Sequence, residues 1–143
     1  MRKILVLLAI FILLGTMSAT AVTIKEIQTT PKPAQTGTFT GEIGYQKDGE
    51  WNKVGDLSGT YEQKNRFYKF NGNWEITIGE KTVSGTMVGI FGKHILYGRI
   101  TISESGKKAP IIGFIGFNQT SQQFAGRAMS IVAPAFYFKG TYL

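Results

Sequence analysis

Phe70-Asn71-Gly72-Asn73-Trp74, Val83-Ser84-Gly85-Thr86-Met87 and Leu96-Tyr97-Gly98-Arg99-Ile100 repeat one figure at a step of 13 residues. In each, a glycine has an apolar residue two positions before it and another two positions after. Side chains alternate faces along a strand, so those three residues share a face and the Asn, Ser, Thr and Arg between them take the other. That pattern marks an antiparallel strand with one buried side. The same figure surrounds Gly41, Gly59, Gly113, Gly126 and Gly140, so eight copies run from Phe39 to Tyr142 with steps of 18, 13, 13, 13, 15, 13 and 14 residues.

A step of about 13 residues holds one strand and one tight turn. If neighbouring glycines face each other, the turns fall at Asn65-Arg66, Ile78-Gly79, Phe91-Gly92 and Ser105-Gly106, with Asp48-Gly49 in the first connection and Ala133-Pro134 in the last. Glycine and asparagine are the residues tight hairpins need where φ is positive. The expected fold is therefore all-β: an eight-stranded antiparallel up-and-down meander closing into a small β-barrel. A β-sandwich of two stacked sheets is the alternative. A repeated mid-strand glycine lets a sheet coil sharply, which closure requires.

Leu57-Ser58-Gly59-Thr60-Tyr61 and Leu96-Tyr97-Gly98-Arg99-Ile100 resemble strand motifs of avidin-type barrels. That resemblance implies an up-and-down barrel able to hold a small ligand at one end. Biotin sites of that family use several tryptophans. This chain has Trp51 and Trp74, and no biotin-binding residue carries over. The glycine pattern also looks like that of secreted β-modules in methanogenic archaea, a resemblance that implies export and fold.

Outside the repeat, Met1-Arg2-Lys3 is a basic start, Ile4 to Leu14 is an apolar run, and Ala19 and Ala21 stand in an A-x-A arrangement. This is the layout of a cleaved signal peptide over residues 1–21, with the mature chain starting near Val22. The expected localisation is secreted or in the cell envelope, with no transmembrane helix after cleavage. Residues 22–36, with Thr29-Thr30-Pro31-Lys32-Pro33, read as a polar spacer, and residues 37–143 as one domain. With no cysteine, that domain relies on its core alone. The chain's formal charge is +7; removing Arg2 and Lys3 leaves +5, from 14 basic and 9 acidic residues. An excess of this sign favours anionic partners such as cell-surface polymers or lipid head groups.

The sequence offers little to catalysis. His94 is the single histidine, and no cysteine or glycine-flanked serine elbow accompanies it. No zinc ligand set exists, and Asp48, Glu50 and Asp56 are irregularly spaced for calcium. Glu42, Asp56, Glu62 and Glu75 fall on the polar outer face, away from any shared cleft. No cofactor is implied. Lys64, Arg66 and Lys69 beside Phe67 and Tyr68 read as a hairpin end rather than a nucleic-acid surface.

Three features remain as candidates. The end holding the turns near Asn65, Gly92 and Gln119 gathers Lys64, Arg66 and Lys93 as an anion contact. The outward positions of strands 4 to 6 include Val88, Ile90, Ile95, Tyr97, Ile112 and Phe114, an apolar patch of the kind that marks an interface, here for a protein partner. Asn118-Gln119-Thr120 is an N-glycan acceptor sequence at an expected turn. The functional expectation is an exported, non-catalytic domain acting through surface contacts. The alternatives are a barrel binding a small apolar ligand and, after that, an enzyme on the same barrel.

Overall fold

The computed structural model describes residues 35–131 and 133–143. The segments expected to be a signal peptide and most of a spacer lie outside the described residues. Eight strands follow in order: β1 (Thr36–Lys47), β2 (Glu50–Lys64), β3 (Phe67–Ile78), β4 (Lys81–Phe91), β5 (Ile95–Ile102), β6 (Lys108–Asn118), β7 (Gln123–Ser130) and β8 (Ala133–Tyr142). Each pairs antiparallel with the next, and β1 also pairs with β8, so the sheet is a closed barrel and the two-sheet alternative falls. The domain starts slightly earlier than the spacer reading allows. Thr36 pairs with Glu62, and the Gln35 carbonyl accepts the Gln63 N–H at 2.6 Å, because that end of β2 is long enough to hold them.

The residues flanking the eight glycines face the lumen. Leu57, Tyr61, Phe70, Phe124, Phe138 and Tyr142 are buried, with Phe39, Trp74 and Met87 packed against them. The turns use the expected chemistry: φ is positive at Asp48, Gly49, Asn65, Gly79 and Gly106. The register, however, differs from glycine facing glycine. Gly59 does pair with Gly72 and Gly41 with Gly140, but Gly85 pairs with Trp74, Gly126 with Phe138 and Gly140 with Phe124. The β4–β5 turn accordingly moves past Gly92 to Lys93 and His94. Steric fit explains the shift. A Cβ on Gly126 would sit 2.4 Å from Cζ of Phe138, and one on Gly140 2.7 Å from Cζ of Phe124. Each ring lies across a glycine of the adjoining strand, so a narrow lumen takes rings that two full side chains would exclude.

One irregularity re-aims a side chain. Ile43 pairs with Gly55 and Gly44 with Lys53, so Val54 is an extra residue on β2, packed against the core. A bulge of this kind flips the facing of everything beyond it. Alternation continued from Leu57 would aim Trp51 inward; instead its Nε1 donates to Oε2 of Glu42 on the outer wall at 2.9 Å. The Lys139 ammonium sits 4.5 Å from the Trp51 ring centroid.

We call the end holding the β2–β3, β4–β5 and β6–β7 turns the upper end. Aromatic rings fill the lumen there. Phe91 stacks on Tyr68 at 5.0 Å between centroids, with Phe117 at 5.4 Å and Tyr61 at 6.4 Å; Phe117 meets Tyr142 at 5.6 Å. Tyr61 Oη donates to the Leu143 carbonyl at 2.9 Å and Tyr142 Oη to the Asn118 carbonyl at 3.3 Å. Burial raises the pKa of Tyr61, Tyr68 and Tyr142, and the proximity of Tyr142 to the other two raises theirs further. A phenol whose folded pKa is raised adds stability below its unfolded value near 10 and loses it as pH rises through the folded value. Stability should therefore decline above about pH 10, and more steeply than in a variant carrying Phe at all three positions. Denaturant melts across that range check this; parallel pH profiles would place the phenols in solvent.

Candidate functional site

The barrel has two unlike outer walls. On β1 to β3 the outward positions include Thr40, Glu42, Asp56, Ser58, Glu62, Lys69, Asn71 and Glu75, and the charges are interlocked. Lys53 reaches Asp56 at 2.7 Å and Glu42 at 3.8 Å, and a hydrogen bond to Asp56, aided by both carboxylates' charges, raises its pKa. A shallow groove of about 500 Å³ runs along this wall between Thr60, Glu62, Lys69, Asn71, Val88 and Ile90.

From β4 to β7 the wall is apolar. Ile90 pairs with Tyr97, Tyr97 with Ile112, and Ile112 with Met129, one continuous row across four strands. Beside it Ile95 pairs with Phe114, and Val88 borders Asn71 of the groove wall. All of these residues are solvent-exposed, from 37% at Ile90 to 66% at Phe114. Every patch residue expected from the sequence lies on this wall. Met129 is a member that reading missed. It sits three residues after Gly126, on the outward parity, so the glycine figure itself holds the signal. Arg99 pairs with Val88 and Arg127 with Phe114, placing two guanidiniums among the apolar side chains. The Arg127 guanidinium also lies 5.6 Å from the Tyr137 ring centroid, at the far edge of the patch.

Comparison with known protein families, curated proteins and solved structures finds no match to this chain. What the wall can do must therefore be read from its own chemistry. Exposures of this size on seven adjacent side chains amount to roughly 600 Å², the upper end of the largest apolar patch that ordinary monomers leave uncovered.

The other candidates are placed as follows. Lys64, Arg66 and Lys93 share the upper end, with exposed His94 next to Lys93, but the Lys64 ammonium is ion-paired with Glu62. Asn118 is the last residue of β6, and its Oδ1 accepts the Ser121 N–H at 3.2 Å, so it sits at a turn as the acceptor sequence requires. The two tryptophans lie apart: Trp51 is on the outer wall, while Trp74 lies inside against Gly85, its Nε1 donating to the Thr86 carbonyl at 3.1 Å. Among the described residues no cluster of His, Cys, Asp and Glu could hold a metal, and no helix is long and apolar enough to cross a membrane. A barrel crossing with its strands would need an apolar belt on every strand, yet Glu42, Asp56 and Glu75 stand mid-wall on β1 to β3.

Proposed function

We propose that this is an exported, non-catalytic β-barrel that works by contact, through its β4–β7 wall. The observation that carries the reading is the one-sidedness of that wall: a contiguous apolar face on a barrel whose opposite face is polar and ion-paired. Filling of the upper lumen by the Phe91 cluster supports an outer contact over a ligand held inside that end. The basic start, apolar run and Ala19/Ala21 pair support export.

The test is oxidative footprinting of the protein in its host's envelope fraction and after purification. Tyr97 and Met129 should be oxidised readily in the purified protein and protected in the envelope, while Tyr45, on the lumen side of β1, should be modified equally in both. Equal oxidation of Tyr97 and Met129 in the two samples would remove the contact reading.

A further inference from the structure

Charge is divided between the same two walls as apolarity. From Lys81 to Ser130, which covers β4 to β7 and their turns, the side chains hold six cations (Lys81, Lys93, Arg99, Lys107, Lys108 and Arg127) against one acid, Glu104, a net of +5. The remaining described residues hold six cations against seven acids, a net of −1. Lys81, Lys93, Lys107 and Lys108 lie at turns or strand ends bordering the wall, and Arg99 and Arg127 stand on it, so the apolar patch is set in the basic side of the barrel. This coincidence separates the occupants the wall could take.

A second copy fits poorly. Two such walls would set Arg99 and Arg127 against their own copies, and a second copy offers no anion on that wall to meet them. A partner with a negative surface and an apolar layer beneath it meets both features at once. We propose that the β4–β7 wall lies on the surface of an anionic lipid bilayer, the barrel resting on its side without spanning. Phe114, Ile95 and Tyr97, the most exposed of the patch, would enter the headgroup boundary. Arg99 and Arg127 would stand at phosphate level, the arrangement of basic and aromatic residues that interfacial proteins use. The convex wall suits this partner, because lipid conforms to protruding side chains where a rigid protein would need a matching groove.

This inference rests on the contact reading above and names its partner. The chain lacks cysteine, so one introduced thiol can be labelled cleanly. Met129→Cys carries an environment-sensitive dye on the patch, and Ser58→Cys carries it on the opposite wall as control. The dye, unlike bulk binding, reports on the wall whatever the amino-terminal segment does. With vesicles of phosphatidylglycerol and phosphatidylcholine, the dye at position 129 should shift to the blue and the dye at 58 should not. Phosphatidylcholine alone should give a much smaller shift, and salt should reverse the anionic one. Adding Arg99→Gln and Arg127→Gln to the Met129→Cys protein should weaken the apparent affinity by about 25-fold, at the usual contribution of a basic residue near an anionic surface. No shift at 129 with anionic vesicles overturns the inference, as does an equal shift at 58. A shift at 129 that accompanies dimer formation without lipid also overturns it, in favour of a second copy. If footprinting protects Tyr97 while vesicles leave position 129 unmoved, the contact reading stands and the partner is a protein or polymer.

Discussion

Replacing Phe91 with alanine should cost about 3–5 kcal/mol, a large share of the 5–15 kcal/mol that holds an ordinary domain folded. Phe91 is 6% exposed and touches four rings contributed by three other strands: Tyr61 on β2, Tyr68 and Phe70 on β3, and Phe117 on β6. It spans the lumen, so no single neighbour can move into the space it leaves. The Tyr68 ring, stacked on it at an interplanar angle of 7°, would lose a whole face of contact. Urea melts measure the loss. Phe91→Leu keeps most of the volume and should lose clearly less, which keeps the prediction open if the alanine variant does not fold. A loss below about 1 kcal/mol for alanine would mean that the upper lumen is not packed as described.

The alternation that made the strands legible is local. It needs nothing but residues two apart, and so Leu57, Tyr61, Phe70 and Tyr142 could be assigned to the lumen, and Ile95, Tyr97, Ile112 and Phe114 to the outer wall, from the sequence. Register is not local. Sliding a hairpin by two residues keeps every side chain on its face, so the pattern around Gly85 fits a Gly72 partner as well as a Trp74 partner. What decides between them is the ring volume inside a closed barrel, where Trp74 fits over Gly85 and would not fit over a larger residue. The Val54 bulge escaped for a related reason. Nothing in Lys53-Val54-Gly55 announces an extra residue, yet it sends Trp51 to the outer wall and into contact with Glu42 and Lys139.

The candidate wall was legible in part. Parity along each strand named most of its members. Their continuity depends on neighbouring strands being at the same height, so the row from Ile90 to Met129 required the register. The charge division was hidden for a different reason. Read along the barrel axis, cations gather at the upper end around Lys64, Arg66 and Lys93; read around the circumference, they follow β4 to β7. Lys64 is met by Glu62 within its own hairpin, while Arg99 and Arg127 stand among apolar neighbours. The circumferential division therefore places more charge beside the apolar surface than the axial one does.

Gly85→Val should be at least as damaging as overpacking usually is, about 1–3 kcal/mol and here at the upper end or beyond. A Cβ at position 85 would lie 1.9 Å from the Thr101 carbonyl oxygen and 2.9 Å from Cζ2 of Trp74. The ring could turn aside, but the carbonyl belongs to the backbone of β5, so relief requires β4 and β5 to separate. Trp74→Leu should therefore not rescue the variant; rescue would move the cause from the strand to the ring. Gly92→Ala is the matched control. It lies in the next turn, a Cβ there meets nothing within 4 Å, and the change should stay within about 0.5 kcal/mol. The consequence reaches the outer wall, because the β4–β5 pairing joins Ile90 to Tyr97 and Val88 to Arg99. Parting those strands would divide the apolar row and carry Arg99 away from Val88. A partly folded Gly85→Val protein should then lose its contact surface along with its melting temperature. A variant that melts with wild type would show that Gly85 does not lie against β5.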